Sequence, residues 1–599
     1  MPESRRLGSL TALRRKEPYM RPITAVLALL TLAACAPPAA GPGATGRISF
    51  PFDWEFRGLD PVGTGTQGMV ATTDIRATRV GIETLQAGGN AIDAAIAVGF
   101  ALAVVLPEAG NIGGGGFAVV RLADGSTATL DFREMAPLAA VPERFIDAEG
   151  RPTDSTRVGH LASGVPGSVA GFAELHKRYG SLPWETLVAP AIDLADNGFT
   201  VNERLNRGLA SKQTTLMQYE GTRKIFFPGG EPPRVGSVFR QPLLAGTLRM
   251  IAAEGKEAFY SGRIAEMIVE EMREGDGLIT HEDLRRYTAK WREPITFGYR
   301  GYTIISMPPP SSGGVTLAES LNILEGYNIR DLGFNSPDAV HLMTESFRRA
   351  FADRNFYLGD PDFVEMPIAQ LTSDEHAADL RTSISRTRAS SSERFNRVPV
   401  FTEGLNTTHY SVVDSQGNAV AVTTTINSSY GSGVVVSRAG FFLNNELDDF
   451  SVRVGFANQF GLVQSDASLI GPGRRPLSAM TPTIVVNPQG QLRAVLGSPG
   501  GPRIITAVAQ TVINIIDFNM DVRTAVDAPR IHHQLLPDEI QYERNGLESV
   551  TQSVLAGYGH RLTPTGYYFG DVQLILRDPD GTLHGASDPR REGGRALGY

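Results

Sequence analysis

The hydrophobic pattern changes from helical to strand-like near residue 407, and this change restricts the fold more than any other feature. Between residues 160 and 290 the spacing of apolar residues predicts mostly helices. After residue 407, strands are predicted over Thr408–Asp414 and Ala419–Ile426, with a turn at residues 415–418. Strands with helices on both sides predict either a layered helix–sheet–sheet–helix sandwich or an α/β arrangement.

The predicted hairpin collects polar side chains at its open end. With that turn, Thr408 is expected opposite Thr425, and Thr407 opposite Ile426 and beside Asn427. Threonine also favours strands for purely structural reasons, so the pattern alone leaves a structural and a catalytic reading open.

Composition excludes several classes of protein. The 599 residues contain one cysteine, so no internal disulfide, Cys-based zinc cluster or CxxC redox pair can form. Hydrophobic residues make up 42% and charged residues 20%, enough for a large buried core. A net charge of −8 spread over the chain gives no basic footprint for nucleic acid, and no nucleic-acid partner is expected.

The single cysteine lies in a sequence typical of an exported protein. Basic residues up to Arg21 precede an apolar run from Ile23 to Ala34, which fits a secretory signal and is too short to span a membrane. The run ends at Cys35 and resembles a bacterial lipobox, in which this cysteine is lipidated and becomes the mature N-terminus. The alternative is an ordinary signal peptide with an incidental cysteine.

This reading divides the N-terminal region into two parts. Residues 1–34 are predicted to be the signal peptide, with Met20 as a possible true start, and residues 35–67 a flexible linker. The location expected for the mature protein is the periplasm, with a lipid anchor in the outer membrane.

A run of four glycines, Gly113–Gly116, precedes a predicted strand. Such a run indicates that the backbone passes close to another strand or to a ligand. A phosphate loop is disfavoured because no Lys-Ser/Thr pair follows, and the Gly-rich residues 63–68 lie before the first predicted strand.

Thr407 is the strongest candidate nucleophile. A threonine hydroxyl needs a base beside it, and a threonine at a newly made N-terminus supplies that base through its own α-amine. Neither HExxH nor GxSxG occurs, and there is no histidine-rich ligand set, so no metal or cofactor is expected.

Three further segments carry suitable polar groups. Residues 444–449 offer amide and acid groups for an ammonium ion, although a solvated loop would have the same composition. The glycines of Gly497–Gly501 can direct two backbone N–H groups at one oxygen, as an oxyanion hole requires. Arg133 ends a predicted strand and suits a carboxylate, although a plain salt bridge with Glu134 is the simpler reading.

Taken together, these segments resemble the bacterial γ-glutamyltranspeptidase (glutathione hydrolase) family. The similarity runs from about Gly68 to Tyr599, with order and spacing preserved. The segments that carry it are Gly113–Phe117, Asp131–Pro137, Met307–Gly314, Thr407–Asp414, Asn444–Ser451 and Gly497–Gly501.

The resemblance implies an α+β N-terminal-nucleophile hydrolase fold, a four-layer αββα sandwich. It also implies a proenzyme that cuts itself between Asn406 and Thr407. Residues 68–406 would then belong to the large subunit and residues 407–599 would form the small catalytic subunit, the two remaining together as a heterodimer. Scaled from 64.4 kDa for 599 residues, the pieces starting at Cys35 and Thr407 would be about 40 and about 21 kDa.

The resemblance also implies a role for each site residue. Thr407 would be the nucleophile and its amine the base, with Thr425 hydrogen-bonded to it. The remaining roles would be an oxyanion hole at Gly500 and Gly501, α-carboxylate binding by Arg133 and Ser478, and α-ammonium binding by Asn427, Glu446 and Asp449.

The implied activity is transfer of the γ-glutamyl group of glutathione or γ-glutamyl amides to water, amino acids or peptides. Two alternatives stay open, a related glutaryl or cephalosporin acylase and a non-catalytic surface lipoprotein. The family usually has two serines where this chain has Ser478-Ala479, which weakens carboxylate binding and weakly favours the acylase. Asp449 argues against the acylase, since a glutaryl group lacks an ammonium.

Overall fold

A computed structural model of the chain describes residues 48–58, 60–395, 407–453 and 465–599. Nineteen strands occur within these ranges. They are β1 (Gly63–Gly65), β2 (Met69–Thr72), β3 (Gly115–Arg121), β4 (Thr127–Phe132), β5 (Phe199–Thr200), β6 (Val238–Phe239), β7 (Lys290–Arg292), β8 (Ile295–Tyr299), β9 (Tyr302–Ser306), β10 (Thr408–Val413), β11 (Ala419–Thr425), β12 (Thr483–Val486), β13 (Leu492–Gly497), β14 (Ile531–His532), β15 (Ile540–Glu543), β16 (Leu562–Thr565), β17 (Gln573–Arg577), β18 (Leu583–Ser587) and β19 (Arg595–Gly598).

Eighteen α-helices occur in the same ranges, together with short 3₁₀ turns. The helices are α1 (Ile75–Gln86), α2 (Ala91–Val105), α3 (Ser168–Tyr179), α4 (Trp184–Asn197), α5 (Glu203–Leu216), α6 (Glu220–Phe226), α7 (Pro242–Glu254), α8 (Glu257–Tyr260), α9 (Arg263–Glu274), α10 (His281–Arg286), α11 (Gly313–Glu325), α12 (Ile329–Leu332), α13 (Pro337–Tyr357), α14 (Ile368–Leu371), α15 (Asp374–Thr382), α16 (Arg503–Ile516), α17 (Val522–Asp527) and α18 (Ser549–Gly557). The 3₁₀ turns are Pro142–Arg144, Asp154–Thr156, His160–Ala162, Ser392–Arg394, Glu446–Asp449 and Asp466–Ser468.

Two seven-stranded antiparallel sheets form the centre of the fold. One has the order β1-β18-β17-β13-β12-β9-β8 and the other β19-β2-β10-β11-β3-β4-β7. Both sheets contain strands from before and after residue 407, so neither part of the chain completes a sheet alone. Two smaller sheets, β14-β15-β16 and β5-β6, lie outside this pair.

Alternation along β3 shows how the layers stack. Phe117 and Val119 pack into a core that also contains Val495 of the other sheet. Ala118 and Val120, on the opposite face, pack into a second core with α1, α2 and α4. The first core also holds apolar residues of α11, α13, α16 and α17, which cover the far side of the other sheet. Because successive side chains of a strand point to opposite faces, the order is helix, sheet, sheet, helix.

Helix α2 illustrates why the sequence forms these elements. Asn90 caps its first turn by accepting hydrogen bonds from the Ile92 and Asp93 N–H groups, and the Asp93 carboxylate accepts from the Asn90 N–H in return. Every residue of α2 is buried, which explains why it is apolar all round. The run of small apolar residues from Ala91 to Val105 predicts a helix from the sequence, and α2 has those bounds in the structure.

The hairpin register differs by one residue from the sequence prediction. Val413 pairs with Ala419 and Thr408 with Thr424, so the loop has three residues, 415–417, instead of four. The Asp414 carboxylate accepts hydrogen bonds from the Gln416 and Asn418 N–H groups. Gly417 takes a left-handed conformation (φ 88°), which closes this tighter loop. Continued by one residue, the register sets Thr407 opposite Thr425 and not opposite Ile426.

Part of the predicted linker is packed onto the fold. Residues 48–58 and 60–67 of the expected 35–67 linker are described, and within them β1 pairs with β18. Trp54 is buried, and its indole N–H donates to the Asp527 carbonyl at 2.9 Å. A large aromatic ring whose N–H is hydrogen-bonded stabilises such a segment against the rest of the fold. This packing was not evident from the sequence, because the neighbouring residues are of low complexity.

Several sequence expectations fall on residues that the structure does not describe. The signal peptide at residues 1–34, the lipidation residue Cys35 and the cleavage residue Asn406 lie outside the described ranges. Within those ranges, no helix combines the length and the apolar character needed to cross a membrane.

Candidate active site

One narrow cavity, partly open to solvent, brings together residues from distant parts of the chain. Of the nine described residues predicted for the site, eight line this cavity, and Gly500 lies next to its wall. The lining residues are Arg133, Arg354, Thr407, Thr425, Asn427, Glu446, Asp449, Leu477, Ser478, Ala479, Met480, Gly501, Pro502 and Ile504.

Thr407 lies immediately before β10 in a central sheet and is 6% exposed. Thr425 ends the neighbouring strand β11, and its hydroxyl accepts a hydrogen bond from the Asn427 N–H at 2.7 Å. Asn427 has a left-handed backbone (φ 71°), a conformation that asparagine tolerates better than most residues. This turn brings the ends of two strands into the cavity.

The glycine run Gly113–Gly116 allows the close approach that holds Thr425. A Cβ on Gly114 would lie 2.1 Å from the Thr425 carbonyl oxygen, and one on Gly113 would lie 2.0 Å from that of Phe442. The Asn111 amide donates to the same Thr425 carbonyl at 2.9 Å. The run therefore serves strand packing, one of the two readings that the sequence left open.

Arg133 follows β4 and faces three carboxyl groups. Its Nη1 lies 2.7 Å from Glu446 Oε2 and 3.6 Å from Glu134 Oε2, and its Nη2 donates to Asp449. The Asp131 carboxylate accepts from the Arg133 N–H at 2.9 Å and so fixes the start of this segment. The salt bridge with Glu134 exists, but the shortest contacts of Arg133 are to the two acids that line the cavity.

Burial gives these groups unusual protonation. It would lower the pKa of Arg133, but Glu446, Asp449 and Glu134 raise it above its ordinary value. For the acids, burial acts in the opposite direction and raises the pKa. The pKa of Glu134 rises to about 8, and those of Glu446 and Asp449 rise above their usual range, despite the opposing effect of Arg133. The excess of carboxyl groups suits the site to a ligand that brings its own cation.

The two asparagines before Glu446 are structural. Asn444 donates to the carbonyls of Gly113 and Gly164, and accepts from the Glu446 N–H at 3.0 Å. Asn445 accepts from the Ser428 N–H at 3.0 Å. Of the polar run at residues 444–449, Glu446 and Asp449 alone line the cavity, held in place by amides that satisfy the surrounding backbone.

The loop before α11 holds the segment that carries Ser478. The Ser312 hydroxyl donates to the Ser478 carbonyl at 2.6 Å, and the Ser311 hydroxyl donates to the Met480 carbonyl at 2.5 Å. Ser478 and Ala479 both line the cavity, so a serine hydroxyl at position 479 would lie at the site itself.

The glycine loop after β13 adopts conformations that other residues avoid. Gly500 and Gly501 have φ values of 139° and 56°. At the start of the loop, a Cβ on Gly497 would lie 2.3 Å from the imidazole of His409. His409 is fully buried, contacts the Thr423 hydroxyl at 2.8 Å, and has a pKa lowered by burial to about 3. It is therefore a neutral packing group beneath the loop.

Arg354 is a cavity residue that the sequence analysis missed. It lies in the last turn of α13, and its Nε donates to the Ser312 hydroxyl at 2.9 Å. Among the described residues, no group accepts a hydrogen bond from its buried Nη2. Burial, opposed by Asp449, lowers its pKa to about 10, so it stays cationic at neutral pH. The sequence carried no signal for it, because the burial of residues 339–354 of α13 is visible only in the structure.

The geometry defines the class of protein. Two stacked antiparallel sheets lie between helical layers, and a threonine at the head of a central strand opens onto a cavity with buried charges of both signs. This combination defines an N-terminal-nucleophile hydrolase.

Comparisons with known proteins place the chain in one family of that class. A family model for gamma-glutamyltranspeptidase matches residues 77–598. The chain is 45% identical to a glutathione hydrolase proenzyme of Escherichia coli (strain K12) over 588 residues, covering 98% of this chain and 100% of the relative. The chain belongs to the γ-glutamyltranspeptidase family.

Solved structures agree with this assignment. A cephalosporin acylase from Bacillus halodurans superposes with a TM-score of 0.80 at 30% identity, covering 92% of this chain and 99% of the acylase. The gamma-glutamyltranspeptidase of Helicobacter pylori superposes with a TM-score of 0.53 at 43% identity, covering 53% of this chain and 92% of that one.

Proposed function

We propose that this protein is an autoprocessed γ-glutamyltranspeptidase and glutathione hydrolase. Its substrates are glutathione and other γ-glutamyl amides, and its acceptors are water, amino acids or peptides. The observation that carries the proposal is the shared cavity, which Thr407 lines together with Arg133, Glu446 and Asp449. A nucleophile beside binding groups for both charges of an α-amino acid suits a γ-glutamyl group.

Processing precedes activity. The Thr407 hydroxyl attacks the Asn406 carbonyl, the peptide nitrogen leaves as the new α-amine, and water opens the resulting ester. The chain then consists of a large subunit ending at Asn406 and a small subunit starting at Thr407. Both sheets contain strands from each part, which supports a heterodimer that remains associated after cleavage.

The acylation step uses the amine that processing creates. This amine takes the proton of the Thr407 hydroxyl as the oxygen attacks the γ-carbonyl of the substrate. The N–H groups of Gly500 and Gly501 stabilise the tetrahedral oxyanion, and Thr425 orients the nucleophile. The leaving amine receives the proton. Water or an acceptor amine then attacks the acyl-threonine and releases the γ-glutamyl group.

The amino-acid head group of the substrate is held by opposite charges. Arg133 and Ser478 bind the α-carboxylate, and Glu446, Asp449 and Asn427 bind the α-ammonium. In the free protein, Arg133 is paired with Glu446 and Asp449. When the substrate binds, its α-carboxylate pairs with Arg133, and its α-ammonium pairs with Glu446 and Asp449. These contacts replace the ion pairs within the protein.

A glutaryl or cephalosporin acylase is the second candidate, favoured by the missing hydroxyl at Ala479. Release of the chromophore from a γ-glutamyl anilide and from the matching glutaryl anilide separates the two. We expect the γ-glutamyl compound to react faster, since Glu446 and Asp449 have no partner in a glutaryl group. Faster release from the glutaryl anilide would establish the acylase instead.

The same purified protein tests whether the chain is processed. It also distinguishes an enzyme from a non-catalytic lipoprotein. Wild-type protein should give two bands near 40 and 21 kDa, scaled from 64.4 kDa for the whole chain, with the smaller band starting at Thr407. Thr407→Ala should give one band and no anilide hydrolysis. An intact, inactive wild-type chain would support the non-catalytic reading.

The proposed location is the periplasmic face of the outer membrane, with a lipid on Cys35. Support comes from the basic residues, the apolar run and the small residues that precede this cysteine. Cells grown with labelled palmitate should yield a labelled large subunit, and Cys35→Ser should lose the label. Label that persists in Cys35→Ser would exclude this anchor, and membrane fractionation then distinguishes inner from outer membrane.

A further inference from the structure

Three helices place two carboxyl groups and an imidazole together, away from the lining of the catalytic cavity. Glu319 lies in α11, Asp353 in α13 and His376 in α15. One ligand atom from each residue lies within 4.8 Å of the other two. From these residues we infer a binding site for a divalent transition-metal ion such as Zn²⁺.

Glu319 provides the independent observation that points to a ligand. Its side chain is 1% exposed, and among the described residues no group donates a hydrogen bond to its Oε1. The buried hydroxyl of Thr316, one turn earlier on the same helix, also has no hydrogen-bond partner within the described part of the chain. Buried polar atoms in folded proteins are nearly always satisfied, so two orphans one helical turn apart indicate a missing partner.

The charge of the site favours a cation. The carboxyl groups of Glu319 and Asp353 lie close together, and both residues are buried. A bound dication would neutralise both carboxylates and satisfy their oxygens. Carboxylate oxygen and imidazole nitrogen together suit borderline ions such as Zn²⁺ better than Mg²⁺, which prefers oxygen alone.

The geometry is compatible with one ion. Atoms that bind one zinc ion at about 2.1 Å lie roughly 3–4 Å from one another. The three ligand atoms here lie within 4.8 Å of one another, which is compatible with that spacing. His376 Nε2 already lies 2.8 Å from Asp353 Oδ2, and the Ser373 hydroxyl accepts from the His376 N–H at the start of α15. The imidazole is 18% exposed, which gives an ion a route from solvent.

A second group of potential ligands lacks these properties. His341, Glu345 and His560 also lie within 4.8 Å of one another. There, however, Glu345 is already paired with Arg349 at 2.7 Å and with Arg348 at 3.3 Å. Two guanidinium groups beside the carboxylate disfavour a cation, so the inference is confined to Glu319, Asp353 and His376.

The site would stabilise the wall of the catalytic cavity. Asp353 immediately precedes Arg354, which lines that cavity and contacts Ser312 at the start of α11. An ion joining α11, α13 and α15 would restrict the movement of these helices. Binding requires only the folded chain, so the inference stands independently of the proposed reaction.

Metal binding is tested on tag-free protein, since a histidine tag would itself bind metal. The protein is dialysed against a chelator and titrated with Co²⁺, whose visible absorption reports protein ligands, and then with Zn²⁺ in competition. We expect one ion per chain in the wild type, displaced by Zn²⁺. Glu319→Gln and His376→Gln should each weaken binding by more than about tenfold.

Controls separate the site from other histidines and from catalysis. His584 and Asp578 form a His–Asp pair at 3.3 Å whose acid is 44% exposed, so His584→Gln should bind Co²⁺ as the wild type does. Thr407→Ala should also bind normally. Circular dichroism verifies that each variant is folded. The inference is overturned if the wild type binds no more Co²⁺ than the folded double variant Glu319→Gln/His376→Gln.

Discussion

Arg133 Nη1 lies 2.7 Å from Glu446 Oε2, with both side chains at most 1% exposed. A buried ion pair of this kind contributes little to stability, since desolvation offsets most of the attraction. Removing one partner, however, leaves an uncompensated charge. Under the proposed function, this pair is a preformed site in which the substrate takes over both charges.

Arg133→Lys should weaken substrate binding while leaving the charge in place. A lysine cannot hold a carboxylate through two parallel N–H bonds, and losing one charged hydrogen bond costs about 1.5–3 kcal/mol, or roughly 10–150-fold. We expect the KM for a γ-glutamyl anilide to rise by that factor, with two subunits still visible on a gel. A KM within twofold of the wild type would contradict this role for Arg133.

Ala479→Ser should strengthen binding of the α-carboxylate. The variant restores the second serine at a position that lines the cavity. One added hydrogen bond to a charged group should lower the KM of the γ-glutamyl anilide by about tenfold or more. The anilide of 4-aminobutyrate, which keeps the ammonium and lacks this carboxylate, serves as the control and should change little. Equal effects on both substrates would indicate a general packing effect.

Arg354→Met should raise the KM for γ-glutamyl substrates by about tenfold, because a buried donor aimed at the cavity is lost. Methionine retains much of the apolar packing of the arginine stem. Anilide hydrolysis as a function of substrate concentration measures the effect.

Arg354→Lys should restore part of the affinity, since it keeps the positive charge. Arg285→Met is a suitable control, because Arg285 lies on an exposed part of α10 and pairs only with Glu282 among the described residues. If Arg354→Met lowered kcat at constant KM, the residue would act on the chemistry and not on binding.

His409→Gln should reduce the loss of stability in acid. Burial lowers the pKa of His409 from 6.5 to about 3, so the unfolded chain binds a proton between those pH values that the folded chain does not. The contribution of His409 to the free energy of unfolding is therefore fully present above pH 6.5 and is lost progressively as the pH falls toward 3. The variant should show a shallower decline of Tm between pH 7 and pH 4.

The same experiment needs a histidine control. Other buried histidines, including His533 and His560, also have pKa values lowered by burial. Because of these residues, the stability of the variant should still fall somewhat in acid. The more exposed His584→Gln should follow the wild-type curve. Parallel curves for His409→Gln and the wild type would show that His409 does not contribute.

Local sequence was sufficient for several helices and strands and for the choice of Thr407 as the candidate nucleophile. The apolar run of α2 predicted its bounds, and the polar segments around Thr407 and Gly497–Gly501 predicted their convergence, helped by the family resemblance. These features depend on neighbours in the chain. Periodicity, capping residues and strand ends are all expressed within a few positions.

The register of β10 and β11 was not predictable in the same way. It depended on whether Asp414 and Gly417 closed a three- or a four-residue loop, and a change of one residue moves every cross-strand pair. The correct pairing sets Thr425, not Ile426, opposite Thr407.

The sequence by itself, with the family resemblance, thus determined the class of fold and the family, and it singled out Thr407 as the candidate nucleophile. Only the tertiary structure decided that Arg354 enters the cavity and that Glu319 and His376 meet across helices, although no metal site is expected from the sequence. The physical reason is distance along the chain. Such contacts depend on how whole helices and sheets pack, and the residues that meet carry no local pattern that identifies their partners.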